Sequence, residues 1–193
     1  MTESRRGRPR IAATDRRVLD AAEAILREGG PDALTMTEVA RRSGVAKQTL
    51  YRRWPSKHAL AAQCVLDGVL IVDAVIPVST GDAAADLRAW WTRSHEAFGD
   101  HEQTSLYRML TSAAAADAGA AERLAARLSD PIEAALREVL AGGIESGELR
   151  KDLDVDAAAR LLVDALSGEL SRAPSPRHPS ATIDLILRGM SAH

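Results

Sequence analysis

A chain of 193 residues, 46% hydrophobic and 27% charged, is long enough to bury a proper core and to form one large or two small domains. Its six aromatic residues, set among abundant Ala, Leu, Arg, Asp and Glu, are the composition of an all-helical protein. One cysteine, Cys64, excludes an intramolecular disulfide, and no apolar run approaches the ~20 residues of a membrane span.

The single thiol fits a reducing compartment, and the basic N-terminus has no hydrophobic segment behind it, so the expectation is a cytoplasmic protein without signal peptide or membrane association. The net charge of −2 hides an asymmetry. Residues 1–60 carry thirteen Lys or Arg against seven Asp or Glu, a net of +6; residues 61–193 carry twelve against twenty, a net of −8. A surface for a polyanion therefore belongs to the N-terminal third.

Residues 1–13, MTESRRGRPRIAA, contain Gly7, Pro9 and four arginines without an apolar stripe and read as a flexible basic arm. Its Arg6-Gly7-Arg8-Pro9 core is similar to an AT-hook, in which an extended Arg-Gly-Arg enters the minor groove. The alternatives are an arm that touches phosphates without preference and a solubilising tail. Thr14 is placed to cap a helix with Val18, Ala22, Ile25 and Leu26 on one face, ended by Gly29-Gly30-Pro31.

Thr35 stands three residues ahead of Glu38, the spacing of a reciprocal capping box, and opens a short helix Met36–Ser43. Gly44 stops it and reverses the chain. A second helix runs from Ala46 to Trp54, with no breaker before Pro55. Val45, Thr49 and Leu50 face back toward Val39 and Ala40, leaving Lys47, Gln48, Tyr51, Arg52 and Arg53 outward. The three helices share a core of the apolar residues already named plus Leu34, with Trp54 at its edge. Cations, an amide and a phenol on one exposed helix face match the chemistry of DNA, whose major groove admits a helix. A solvated basic face on an ordinary helical hairpin is the alternative reading of these residues.

The string from Thr35, TMTEVARRSGVAKQTLYRRWPSKHAL, resembles the N-terminal DNA-binding domain of TetR-type transcriptional regulators, in the form common among actinobacterial members. The likeness covers about residues 14–60; beyond about residue 75 it is only one of length and helical character. It implies an all-α fold of about nine helices. The arm of residues 1–13 is followed by a homeodomain-like three-helix DNA-binding domain at 14–60 and a helical ligand-binding and dimerisation domain at 61–193. It implies double-stranded DNA as partner, with Lys47, Gln48 and Tyr51 near base edges, Thr35, Thr37, Thr49, Arg53 and Lys57 on phosphates and Tyr51 able to do both; the outward-facing Arg52 is counted with the DNA-binding residues. Arg6 and Arg8 of the arm are added to that set. Two positions depart from the pattern: Trp54 stands where relatives more often have Phe, and Ala46 lacks the capping hydroxyl that a Ser supplies in many of them.

Lys57 to about Ala74 is apolar nearly all round, so it needs cover on more than one side, and Cys64 within it reads as a packing residue. Pro77 to Gly81 is a linker. Asp82 to Phe98 and Thr104 to Ala116 read as helices separated by a turn at Gly99 to Gln103. They carry Trp90, Trp91, Phe98 and Tyr107, which either line a pocket for a small apolar ligand or pack a core. His95 is either a polar handle there or a satisfied core histidine. From Ala118 to Gly147 an apolar stripe, Leu124 to Ile144, is interrupted by Pro131, which predicts either a kink or two helices meeting at Ser129 to Pro131. After a turn, Gly147 to Asp154, come Val155–Leu170, a proline-rich loop and Thr182–Met190. These two helices resemble the pair through which family members form a four-helix homodimer interface. Ala158, Ala165 and Gly168 suit that close approach and would equally suit an intramolecular core.

No glycine-rich phosphate loop, nucleophile elbow or zinc motif occurs, and the five histidines have no ligand partner at helical spacing, so no enzyme activity, metal or cofactor is expected. The expected function is a sequence-specific DNA-binding transcriptional regulator, a repressor released from a palindromic operator by a small-molecule ligand. A ligand-independent constitutive or architectural DNA binder is the alternative.

Overall fold

The computed structural model describes residues 7–68, 75–98, 101–171 and 180–192, with the side chains of 7–12 and 180 left undescribed. The elements are α1 (Gly7–Ala33), α2 (Met36–Ser43), α3 (Lys47–Arg53), α4 (Lys57–Leu66), α5 (Ala83–Ala97), α6 (His101–Ala116), α7 (Ala118–Leu124), a π-helical turn (Ala125–Ser129), α8 (Asp130–Ser146), α9 (Val155–Ser171) and α10 (Ser180–Met190). Counting α7, the π turn and α8 as one continuous helix, these are nine helices, and there is no strand among the described residues beyond an isolated bridge between Leu149 and Ser191.

The chain divides into two compact units: Met1–Val72 with Arg108–Leu124, and Asp73–Tyr107 with Ala125–His193. The first unit takes in α4 and a later segment because Met109, Leu60, Ala61 and Cys64 are buried in the core of α1–α3. Val18, Ala22, Ile25, Leu26, Leu34, Val39, Val45 and Leu50 form that core, Ala40 packs on it, and Trp54 is buried with them.

Several boundaries differ from expectation, among them the start of α6, which begins at His101 inside the expected Gly99 to Gln103 turn. The first helix begins at Gly7, not at Thr14, so Gly7–Ala13 is helical where an arm was expected. Pro9 sits in the first turn, where its missing N–H is tolerated, and Arg10–Ala13 contains no breaker. Residues 1–6 of the expected arm lie outside the described residues. The stop at Gly29-Gly30-Pro31 is a kink, with Gly30 at φ 68°. The helix expected to reach Ala74 ends at Leu66: Asp67 caps it, and Gly68 at φ 69° turns the chain, donating to Val65 O at 3.1 Å. Residues 69–74 are outside the described set.

In the second unit, Leu87, Trp90, Trp91, Leu136, Leu140, Leu162, Ile183 and Leu187 form a continuous core from α5, α8, α9 and α10. Asp82 caps α5 by accepting from Ala85 N at 2.8 Å. At Pro131 one helical element gives way to another, the π turn ending at Ser129 and α8 beginning at Asp130, within the expected Ser129–Pro131 junction. The π turn widens the backbone just ahead of it, and Pro131 falls in the first turn of α8, where no N–H is required. Gly147, at φ 82°, ends α8, and Leu149 folds back to donate to Gly143 O at 2.9 Å. The C-terminal end is tied to this turn by Arg150 N to Met190 O and Ala192 N to Glu148 O, both at 3.0 Å.

Candidate nucleic-acid interface

The α2–turn–α3 segment is built by local chemistry. Thr35, extended at φ −128°, accepts from Glu38 N at 3.1 Å and caps α2. Only this half of the expected capping box forms. The Glu38 carboxylate turns instead to Arg41 Nε and Nη2 at 2.8 and 2.6 Å and to Arg42 Nε at 2.8 Å. Hydrogen bonds from Arg41 and then Arg42 hold its carboxyl down to about 2. Arg42 also reaches Glu28 Oε2 at 2.6 Å, fastening α2 to α1. Gly44, at φ 68°, donates to Ala40 O and reverses the chain at once. Ala46 then opens α3 with no side-chain cap.

Along α3 the two faces separate. Leu50 and the preceding Val45 are buried and Thr49 is half-buried, while Lys47, Gln48, Arg52 and Arg53 are exposed and Tyr51 leaves 51% of its surface in water. Thr35 and Thr37 are exposed at the start of α2. Lys57 is half-buried in the first turn of α4, directly after Ser56, which caps that helix by accepting from Ala59 N at 3.1 Å. Among the described residues Lys47, Arg52 and Lys57 carry no ion pair. Arg53 differs. Its Nη2 is paired with Asp15 Oδ2 of α1, and its guanidinium lies 5.9 Å from the Trp54 ring centre. Arg6 lies outside the described residues, and Arg8 is in the first turn of α1 with its side chain undescribed. The grouped cations, hydroxyls and amide can donate to phosphate oxygens and to base edges; no group here is arranged as a nucleophile with its base.

The residues singled out in the second unit have mixed positions. Trp90 and Trp91 are interior, edge to face at 6.1 Å, and Trp90 Nε1 donates to Val75 O at 2.8 Å. Phe98 and Tyr107 are partly buried and meet edge to face at 5.7 Å, and burial raises the Tyr107 phenol above its usual range. His95 is a satisfied histidine: Nδ1 is 2.9 Å from Trp91 O and Nε2 is 2.8 Å from Glu169 Oε2, whose other oxygen accepts from Thr182 Oγ1. This strut between α5, α9 and α10 was not readable in advance, because 74 residues separate His95 from Glu169. Cys64 is buried and its thiol is pushed up to about 12, chiefly by desolvation, as befits a packing residue. Among the described residues no helix is long and apolar enough to cross a membrane, and no group of His, Cys, Asp or Glu is arranged to hold a metal.

Comparison with known proteins shows which family the chain belongs to. Residues 18–64 match the family profile "Bacterial regulatory proteins, tetR family", and residues 77–186, more than half of the chain, match "Tetracyclin repressor-like, C-terminal domain". The chain belongs to the TetR family. Along most of its length this TetR-family chain is similar to the HTH-type transcriptional regulator YdeS of Bacillus subtilis, 29% identical over 185 residues that cover 96% of this chain and 92% of that one. The TetR-family regulator SCO0332 shares its fold with a TM-score of 0.58 and 31% identity, over 92% of this chain and 98% of that one. The HTH-type transcriptional repressor KstR2 of Rhodococcus jostii is 28% identical over 153 residues, 76% of this chain and 73% of its own. The TetR-family chain is thus a DNA-binding transcriptional regulator with the family's N-terminal reader and C-terminal regulatory domain, and it is not an enzyme. Regulators of this family are dimers that bind DNA and take small-molecule ligands.

Proposed function

We propose that this regulator is a homodimeric repressor that reads a palindromic operator with α3 and leaves it when a small apolar ligand binds the second unit. One observation carries the DNA-reading assignment: α3 buries its apolar residues completely yet holds Lys47, Gln48, Tyr51 and Arg52 in water without internal ion pairs among the described residues. In this reading Lys47, Gln48 and Tyr51 meet base edges, and Thr35, Thr37, Thr49, Arg52 and Lys57 hold phosphates. Lys57 stands at the positive end of α4, where a cation is poorly placed for its own helix and well placed for an anion. Arg6 and Arg8 would extend the contact along the duplex.

Dimerisation is assigned to α9 and α10. Leu161 and Leu185 are 54% and 65% exposed there, and a second copy would cover them. Ala158 is already spent on the intramolecular core, whereas Ala165 and Gly168 are only half-buried. For the ligand, Phe98 and Tyr107 are the better candidates, since Trp90 and Trp91 are enclosed by protein. A ligand favouring dimers whose readers are wrongly spaced would weaken both half-sites together.

Lys47→Ala and Lys57→Ala test the assignment on a panel of duplexes. Lys47→Ala changes the order of preferred sequences, by about 1 to 3 kcal/mol at the affected base pair. Lys57→Ala weakens every duplex alike and flattens the salt slope by about 0.9. Identical effects of the two substitutions on all DNA would refute the division into base-reading and phosphate-holding residues.

A further inference from the structure

We propose that Arg53 is a positioning residue and not a phosphate ligand: with Asp15 it clamps the C-terminal end of the recognition helix α3 onto α1. The inference rests on α3 being the DNA reader. Arg53 is the last residue of α3 and its guanidinium pairs directly with the Asp15 carboxylate, 38 residues earlier in the chain. The other carboxylate oxygen, Asp15 Oδ1, is buried and has no hydrogen-bond partner among the described residues. Among the described residues Arg53 is the cation paired with this carboxylate. Moving the guanidinium to a DNA phosphate would leave the partly buried Asp15 carboxylate without its cation and with one oxygen still unpartnered, a cost that opposes the move but is moderated by solvent, since the Arg53 side chain is itself 40% exposed. Lys47 and Arg52, which have no such tie, are free to meet the duplex.

The architecture of α3 gives the clamp its purpose. The helix has only seven residues, and Ala46 leaves its N-terminal end without a side-chain cap. Beyond the burial of Val45 and Leu50, its C-terminal end is fastened: Trp54 is buried and donates its backbone N–H to Leu50 O at 2.8 Å, and Arg53 spans from beside the Trp54 ring to Asp15. Base-edge reading needs a fixed helix orientation; attraction to phosphates does not. Loss of the clamp therefore harms recognition of the right sequence and spares binding to arbitrary DNA.

The sign of one substitution separates this role from simple electrostatics. Asp15 is an anion in the DNA-binding unit, so if it only opposed the phosphate field, Asp15→Asn would tighten binding to every duplex. The clamp predicts the reverse for the correct sequence. The test uses the full chain as wild type, Asp15→Asn and Arg53→Gln. Anisotropy titrations are made across a salt range on the duplex selected by the wild type and on a random duplex of equal length, well below each protein's melting midpoint. Both variants should lose about tenfold in affinity for the selected duplex, a modest value for breaking a hydrogen-bonded charge pair. Affinity for the random duplex and the salt slope should stay near the wild-type values. Arg53→Gln flattening the slope by about 0.9 on both duplexes would make Arg53 a phosphate ligand and overturn the proposal. Asp15→Asn keeps the shape of the site and decides the matter alone if Arg53→Gln does not fold: tighter or unchanged binding to the selected duplex also overturns the clamp. A wild type that selects no sequence would remove the DNA-reading assignment itself, and the clamp with it.

Discussion

At Ala46 a single missing oxygen leaves the first turn of α3 without a side-chain cap. A serine there would accept a hydrogen bond from one of the unpaired N–H groups of the first turn, so Ala46→Ser should stabilise the protein by about 1 kcal/mol in chemical denaturation. Glu38 makes a second test. Its carboxyl is lowered from 4.5 to about 2 by Arg41 and Arg42, so its contribution is complete above pH 4.5 and fades as the pH falls toward 2. Glu38→Gln should therefore be less stable than the wild type at neutral pH, by a small margin because the cluster is exposed, and the two should converge as the pH approaches 2. Thr35 and Gly44 were readable in the sequence because caps and turns follow from a residue's own chemistry. The destination of the Glu38 carboxylate was not, since two guanidiniums on the following turn outcompete a backbone N–H for it, and Glu28, which shares Arg42, lies on another helix.

Among the elements, α8 shows how close packing fixes a glycine that sequence reading passed over. A Cβ on Gly143 would stand 2.6 Å from Ala83 Cβ and 2.8 Å from Leu149 Cδ1, whereas at Gly142 it would meet nothing within 4 Å. Gly143→Ala should cost roughly 1 to 3 kcal/mol through overpacking, exceeding its gain in helix propensity. Gly142→Ala should stabilise the protein by about 0.5–1 kcal/mol. Thermal or denaturant melts of the two variants check both signs. Helix spans such as Met36–Ser43 and Asp82–Phe98 could be read from apolar spacing and breakers, and the structure has α2 and α5 there. The π turn ahead of Pro131 and the early end of α4 could not: the first is one of several ways to absorb a proline, and the second depends on the left-handed conformation of Gly68.

For the whole molecule, the charge division between the basic N-terminal third and the acidic rest was legible in the sequence, and the family's N-terminal profile matches within that basic third, at residues 18–64. The composition of the two units was harder to read, because Met109 is far along the chain and reaches the first core only through folding. If α9 and α10 pair two copies, Leu161→Glu with Leu185→Glu should yield a monomer in sedimentation analysis that keeps its helical content. That monomer should lose cooperative binding to a two-half-site duplex while still binding one half-site weakly. The most direct measurement of the central claim is selection of bound sequences from random DNA by the purified protein. The account predicts a palindrome whose half-sites are about one helical turn apart, or a multiple of it, with base preferences that shift when Lys47 is replaced. Recovery of no motif, with binding lost at moderate salt, would mean that α3 attracts phosphates without reading sequence, and would contradict it.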